Sequence, residues 1–218
     1  MLKAIFFDLD GVLLDSVEGH FYSWQKILSE FGENVSLHEL KLFEGMKSEE
    51  MVQEILIKRG VNVSVELILG LQRKKRIYHK ANFQAEPFQI YEKLLNLKEM
   101  GLKLYVVSGS PKSWVEVHIN NFFDGIFDGF ISSCDVSLGK PHPQPYLKAF
   151  ELSGCDIENC LVVENAPLGI RSGKNGGFKV IGIGTSLSKK DLSQADYFVK
   201  NHNELFNFIE KNINCNVI

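Results

Sequence analysis

Hydrophobic residues along this chain follow two patterns, and each pattern predicts its own kind of secondary structure. Short uninterrupted apolar runs, typical of strands buried on both faces of a parallel sheet, predict strands at residues 4–7, 103–107, 129–132, 160–163 and 180–183. Apolar residues at helical spacing predict helices at residues 89–100, 113–120, 145–152 and 203–212. Strands that alternate with helices build an α/β fold with a parallel sheet. Residues 215–218 follow the last helix and are expected to fray.

A long stretch after the first strand contains only the helical pattern. Its first apolar face is formed by residues spaced three or four apart, namely Phe21, Trp24, Ile27, Leu28 and Phe31. Further helical runs occupy residues 51–56 and 65–78, and no strand-like alternation interrupts them. We therefore predict a core domain formed by residues 1–16 and 87–218, and an all-helical domain inserted between them at residues 17–86.

Two carboxylates stand where the first buried strand ends. Asp8 and Asp10 follow the apolar run at residues 4–7, and Gly11 then allows a tight turn. In open α/β sheets ligands bind outside the carboxyl ends of the strands, so the two acids lie where a bound group is expected. An Asp-x-Asp sequence alone is equally consistent with turn formers or helix caps.

Polar residues also follow two later strands. Ser108, Gly109 and Ser110 come after the run at residues 104–107, where a hydroxyl and free amides at a helix start suit a phosphate. Lys140 precedes Pro141, and proline at the start of a helix holds the local chain in place. Glu164 and Asn165 follow the run at residues 160–163. These groups appear in the order expected of one site at the carboxyl edge of a sheet.

Taken together, the four motifs resemble those of the haloacid dehalogenase-like hydrolase superfamily, most of whose members are magnesium-dependent phosphatases. The resemblance covers essentially the whole chain. It implies a Rossmann-like parallel-sheet core with an inserted helical cap of the first type. It also implies that Asp8 is the nucleophile, that Asp10 is the general acid and base, and that Ser108 and Lys140 bind the phosphoryl group.

The same resemblance implies a Mg²⁺ cofactor held by Asp8, Asp10, Glu164 and Asn165. Asn165 departs from the pattern, because many relatives carry a second acid at this position. An amide oxygen is an acceptable magnesium ligand but binds less strongly than a carboxylate. We therefore expect reduced metal affinity rather than loss of the site.

The helical insertion is expected to select the substrate. Within the resemblance, the β-phosphoglucomutase and phosphoglycolate phosphatase-like subgroup fits best, and the predicted substrate-binding residues are His20, Gly45, Lys47, Lys74, Gly109 and Ser110. A histidine at a helix start is also consistent with a capping or core role. Ser48 stands where the mutases of the subgroup tend to have arginine, and Lys47 offers a point charge rather than a bidentate fork.

Three functions stay open at this point. The leading one is hydrolysis of a small phosphorylated metabolite, of the sugar phosphate or phosphoglycolate type. The alternatives are a phosphosugar mutase and a catalytically silent protein that binds a phosphorylated ligand. Dehalogenase relatives lack the second aspartate that Asp10 supplies here, which disfavours that chemistry.

The composition limits which partners and which cellular location are expected. The 218 residues carry a net charge of -3, and the basic run at residues 73–76 is interpreted as a solvated helix face, so nucleic acid is not expected as a partner. No apolar run reaches membrane-spanning length, and we expect a cytoplasmic monomer or weak homodimer without a membrane partner. The four cysteines form no Cys-x-x-Cys pair and are expected to be reduced: Cys134, Cys155, Cys160 and Cys215.

Overall fold

A six-stranded parallel sheet lies at the centre of the chain, which a computed structural model describes for residues 1–213. The strands in chain order are β1 (Ala4–Phe7), β2 (Leu14–Asp15), β3 (Glu86–Pro87), β4 (Lys103–Val107), β5 (Gly129–Ile131), β6 (Cys160–Glu164), β7 (Lys179–Ile183) and β8 (Tyr197–Val199). The order across the large sheet is β5-β4-β1-β6-β7-β8. The prediction of an α/β fold with a parallel sheet is confirmed.

Helices cover both faces of this sheet. In chain order they are α1 (Val17–Glu30), α2 (Leu37–Lys41), α3 (Ser48–Lys58), α4 (Val65–Asn82), α5 (Tyr91–Glu99), α6 (Lys112–Phe122), α7 (Gln144–Ser153), α8 (Pro167–Asn175) and α9 (His202–Asn212). Apolar residues of α5, α6 and α9 pack on one face, and those of α7 and α8 pack on the other. The apolar runs of β1, β4 and β6 are buried because each face of the sheet meets a helix layer.

Helices α1–α4, hereafter the cap, have an apolar core of their own. Trp24, Leu28, Leu40, Val52 and Ile55 are among its buried members. The chain enters the cap through β2 and leaves it through β3, and these two strands pair antiparallel. The observed helices confirm an inserted helical cap, and the domain boundaries at residues 17 and 86 stay a prediction.

The hydrophobic pattern did not predict helix α8, the short pair β2 and β3, or the edge strand β8. Helix α8 contains two glycines and a serine, which favour helix weakly. Gly169 lies in it because a Cβ at this position would collide with the carboxylate of Glu164. Strand β8 is three residues long and lies at the sheet edge, so its apolar run is too short to identify.

The described residues include three of the four cysteines. Cys134, Cys155 and Cys160 are free thiols. Cys215 and the segment expected to fray lie outside the described residues. Among residues 1–213, each helix is either too short or too polar to cross a bilayer.

Candidate active site

The sheet order brings three of the four motifs to one edge. Strand β1 lies between β4 and β6, and Phe7 is in register with Val106 on one side and Val163 on the other. The residues that follow these positions therefore meet at the carboxyl ends of adjacent strands. Asp8, Ser108 and Glu164 are all buried there.

Lys140 occupies the centre of this group. Its Nζ lies 2.6 Å from Asp8 Oδ1 and 2.6 Å from Glu164 Oε1, and it donates to the main-chain oxygen of Val107 at 3.0 Å. The side chain is 1% exposed. The hydroxyl of Tyr146 donates to the same oxygen of Glu164 at 2.6 Å. One ammonium group thus serves two carboxyl groups, those of Asp8 and Glu164.

Burial controls the titration of this cluster. For Lys140 burial opposes the charged form, but Asp8 and Glu164 more than offset it, so its pKa is raised and the side chain stays protonated. The pKa of Asp8 is raised to about 8, because burial, together with the Glu164 carboxylate, outweighs the lowering by Lys140. A further positive charge beside Asp8 therefore favours its ionised form.

Asp10 is held by hydroxyl and indole donors. Its Oδ1 accepts hydrogen bonds from Ser16 Oγ at 2.6 Å and Trp114 Nε1 at 3.3 Å, and its Oδ2 accepts one from Ser110 Oγ at 2.9 Å. Ser110, assigned to substrate binding from the sequence, thus contacts Asp10. Sequence reasoning missed Ser16 and Trp114 as partners of this carboxylate.

Asn165 supplies a test of whether a metal ion fits this site. Its Nδ2 donates to Glu44 Oε1 at 2.8 Å, whereas its Oδ1 is buried and lacks a hydrogen-bond partner within residues 1–213. A buried carbonyl oxygen without a partner is a suitable ligand for a hard divalent cation. The described residues contain no group of three His, Cys, Asp or Glu side chains arranged as a metal site. Asp8, Glu164 and Asn165 nevertheless supply hard oxygen donors at one edge of the sheet, and oxygen donors are the ligands that such a cation takes.

Glu44 was missed by the sequence reasoning. It lies in the cap loop between α2 and α3, is 7% exposed, and reaches the core beside Asn165. Burial raises the pKa of Glu44 well above its ordinary value, the hydrogen bond from Asn165 lowers it, and the carboxylates of Asp8 and Glu164 raise it. Its position next to Gly45, which the sequence did single out, was the available signal.

His20 lies against Asp10 on the cap side. Its Nδ1 lies 2.6 Å from the Nζ of Lys75, and its Nε2 lies 3.6 Å from Asp10 Oδ1. The ring stacks on His79 with 4.3 Å between centroids. Burial lowers the pKa of His20 well below its ordinary value, and Lys75 and His79 lower it further, so the ring is neutral.

Two predicted substrate-binding lysines do not reach the site. Lys74 is exposed on α4, and the adjacent Lys75 points inward instead, because successive helical residues are rotated by about 100°. Lys47 directs its Nζ to the main-chain oxygens of Val136 and Ser137, at 2.8 and 3.1 Å. Neither Lys74 nor Lys47 is among the residues that line the cavity described below, and their assignment to substrate binding stays a prediction.

A cavity of about 70 Å³ joins the motifs to the cap. Its polar lining includes Asp8, Asp10, His20, Glu44, Ser48, Ser108 and Ser110, with Gly45 and Gly109 at the junction between cap and core. Its apolar lining consists of Val17, Phe21, Trp24, Phe43, Met46 and Met51. Neither lysine nor arginine is present among the described residues that line this cavity.

Comparisons with known proteins agree with this geometry. The family model described as haloacid dehalogenase-like hydrolase matches residues 5–183. The chain is 27% identical over 214 residues to Beta-phosphoglucomutase of Bacillus subtilis (strain 168), covering 94% of this chain and 92% of the relative. It is 26% identical over 214 residues to Validoxylamine A 7'-phosphate phosphatase of Streptomyces hygroscopicus subsp. limoneus, covering 94% of this chain and 96% of the relative.

A solved structure from Bacteroides vulgatus, provisionally described as a beta-phosphoglucomutase, superposes with a TM-score of 0.88. It is 32% identical, and the match covers 96% of this chain and 88% of the other. The family match extends over most of the chain and includes the ends of β1, β4 and β6. The chain is therefore an enzyme of the haloacid dehalogenase-like hydrolase family.

Proposed function

We propose that the protein is a magnesium-dependent phosphatase that hydrolyses small phosphate monoesters through an aspartyl-phosphate intermediate. The observation that carries this proposal is the buried Asp8 carboxylate, which lies 2.6 Å from Lys140 at the base of a cavity that Asp10 also lines. Enzymes of this family generally depend on a metal ion, and the unpartnered Oδ1 of Asn165 supports one here.

The first chemical step belongs to Asp8. Its carboxylate attacks phosphorus, forming a P–O bond to Asp8 while the bond from phosphorus to the leaving oxygen breaks. Asp10 donates a proton to that leaving oxygen, and its hydrogen bonds to Ser16, Ser110 and Trp114 hold the carboxyl group in place. Lys140 and Ser108 bind phosphoryl oxygens as charge develops on them.

The second step releases phosphate. Asp10 takes a proton from a water molecule, whose oxygen attacks phosphorus and breaks the bond to Asp8, so that the free carboxylate is regenerated. Asp8, the main-chain oxygen of Asp10, Glu164 and Asn165 would hold a divalent cation, which would shield the phosphate charge from Asp8. The raised pKa of Asp8 supports the need for it, because a cation beside this carboxyl group favours the ionised form that attacks.

The cavity lining indicates the substrate class. Six of its described lining residues are apolar, Glu44 places an acidic side chain in it, and neither lysine nor arginine is among these residues. Such a wall suits a leaving group without a second anionic group, because an unpaired anion loses its hydration there without gaining a partner. The lining therefore favours a sugar phosphate over a substrate of the phosphoglycolate type.

A phosphosugar mutase is the alternative, favoured by the similarity to beta-phosphoglucomutases. A mutase must hold a second phosphate while the first is transferred. Ser48 lines the cavity without a positive charge, and Lys47 is occupied by main-chain oxygens of the core. The uncharged side chain of Ser48 and the main-chain contacts of Lys47 support hydrolysis over the mutase reaction.

Three phosphate esters of matched size test the proposal. They are hydroxyethyl phosphate, phosphoethanolamine and phosphoglycolate, whose leaving groups are neutral, cationic and anionic, and the measurement is phosphate release with and without magnesium. We expect kcat/KM for the neutral ester to exceed that for phosphoglycolate about 10-fold or more, and we expect a chelator to abolish turnover. Preference for phosphoglycolate overturns the substrate class. Isomerisation of a hexose 1-phosphate without phosphate release overturns hydrolysis in favour of the mutase.

A further inference from the structure

One contact joins the cap directly to the fourth motif. Glu44 Oε1 accepts a hydrogen bond of 2.8 Å from Asn165 Nδ2, across 121 residues of sequence. Ser186 lies beside the pair, with its Oγ 3.4 Å from Glu44 Oε2 and 3.3 Å from Asn165 Nδ2. Asn165 is fully buried and Glu44 nearly so, and therefore the contact is formed away from solvent.

The contact decides which way the Asn165 amide faces. A side-chain amide has a donor end and an acceptor end, and Glu44 Oε1 accepts from the donor end. Glu44 therefore draws the Nδ2 end toward itself and turns Oδ1 away. That oxygen is buried and without a partner among the described residues, which is the state expected of a ligand oxygen held ready for a cation.

The pair also accounts for the charge at position 165. An amide there donates to Glu44 through its own NH₂ group, so the contact needs no added proton. A carboxylate at position 165 would place two acceptor oxygens across the same 2.8 Å, and one of the two groups would have to hold a proton to keep the contact. The amide of Asn165 is therefore a suitable donor for Glu44, and Glu44 is a suitable acceptor for that amide.

We propose that Glu44 is a positioning residue that fixes the Asn165 amide with its Oδ1 turned toward the cation site, so that cap closure contributes to magnesium binding. The inference rests on the proposed metal-dependent function. It assigns to the cap a role in metal binding, in addition to covering the substrate.

Calorimetric titration of the full-length protein with magnesium chloride, without substrate, tests the assignment. We expect E44A to weaken magnesium binding about 10-fold, as is usual when the partner of a metal ligand is removed. E49A is the matched control, because Glu49 is an exposed carboxylate close to Glu44 in the chain. The control should bind magnesium as the wild type does, and melting temperatures should show that both variants are folded.

A double-mutant cycle distinguishes positioning from a general effect of charge. In the E44Q background the introduced glutamine can donate to an introduced aspartate, which restores the contact with donor and acceptor exchanged. We therefore expect N165D to tighten magnesium binding at least about 10-fold more in the E44Q background than in the wild-type background.

The outcomes separate the two proposals. If N165D changes the magnesium constant by the same factor in both backgrounds, or if E44A binds like E49A, the role of Glu44 is overturned while the phosphatase proposal stands. If the wild-type protein binds no magnesium, the metal-dependent function fails and the inference fails with it.

Discussion

The Nζ of Lys75 lies 2.6 Å from Nδ1 of His20, and this contact decides which nitrogen of the ring carries the proton. A protonated amine donates only, so Nδ1 accepts and the neutral ring holds its proton on Nε2. Nε2 is buried without a hydrogen-bond partner among residues 1–213 and lies 3.6 Å from Asp10 Oδ1. We therefore expect His20 to donate to an oxygen of the substrate next to Asp10, the proposed general acid.

Lys75→Met should lower kcat/KM about 10- to 100-fold, because the ring of His20 is no longer held in one tautomer. Burial lowers the pKa of Lys75 to about 8, with Asp10 opposing the shift, so the charge is unfavourable in the folded state and its removal should not lower the melting temperature. The wild-type rate should fall as the pH rises through about 8, where Lys75 loses its proton, and this limb should be absent in the variant. Lys74→Met, one residue away and exposed, is the control and should behave as wild type.

Asp8→Asn should reduce turnover below about one thousandth of the wild-type rate, because the amide cannot form the aspartyl phosphate. Lys140 keeps Glu164 and the main-chain oxygen of Val107 as partners, so the variant should fold. Phosphate release and thermal melting measure the two effects separately. Asp15→Asn changes an exposed residue of β2 and serves as the control. Activity of the Asp8 variant near the control value would assign the nucleophile elsewhere.

The sequence was most informative where chemistry follows a buried strand. Asp8, Ser108 and Glu164 each come directly after an apolar run, and parallel strands bring their carboxyl ends to one edge. Locating these strands in the sequence was therefore enough to predict that the three side chains meet. The same reasoning missed α8, since its glycine accommodates the carboxylate of Glu164, a contact that local propensity does not contain.

The cap side of the site was predicted less well, for a geometric reason. Helical periodicity identifies a face, but neighbouring residues point about 100° apart, and this separates the exposed Lys74 from the inward Lys75. Glu44 meets Asn165 across 121 residues, and Trp114 meets Asp10 across 104. Such contacts depend on how the cap and the helices pack on the sheet, which no local pattern specifies.

Lys47→Met should raise KM for neutral and anionic phosphate esters by the same factor. Its ammonium group binds the main-chain oxygens of Val136 and Ser137, so its loss weakens the attachment of the cap loop to the core rather than a contact with substrate. Steady-state kinetics with hydroxyethyl phosphate and phosphoglycolate measure the two factors. Lys26→Met removes an exposed lysine that pairs with Glu30 on α1 and should leave both constants unchanged. A selective loss for the anionic ester would return Lys47 to the substrate pocket.

Gly109→Ala should lower kcat about 100-fold with little change in fold, because the backbone of the cap loop lies against the core at this residue. A Cβ at position 109 would lie 2.6 Å from the main-chain oxygen of Gly45 and 3.2 Å from its carbonyl carbon. Both atoms belong to the backbone, and therefore the cap loop as a whole must move away and cannot close over the cavity. Small-angle scattering should show a larger radius of gyration than for the wild type.

Gly70→Ala is the matched control for this change. Gly70 lies inside α4, and no atom lies within 4 Å of a Cβ built there. Alanine should therefore stabilise the helix by about 1 kcal/mol, which corresponds to a rise in melting temperature of about 2–4 °C for a chain of this size, with kcat unchanged. If Gly109→Ala retains the kcat of the Gly70 control, the closed contact between the Gly45 loop and Gly109 is not required for turnover, and the cap acts on the substrate from a more open position.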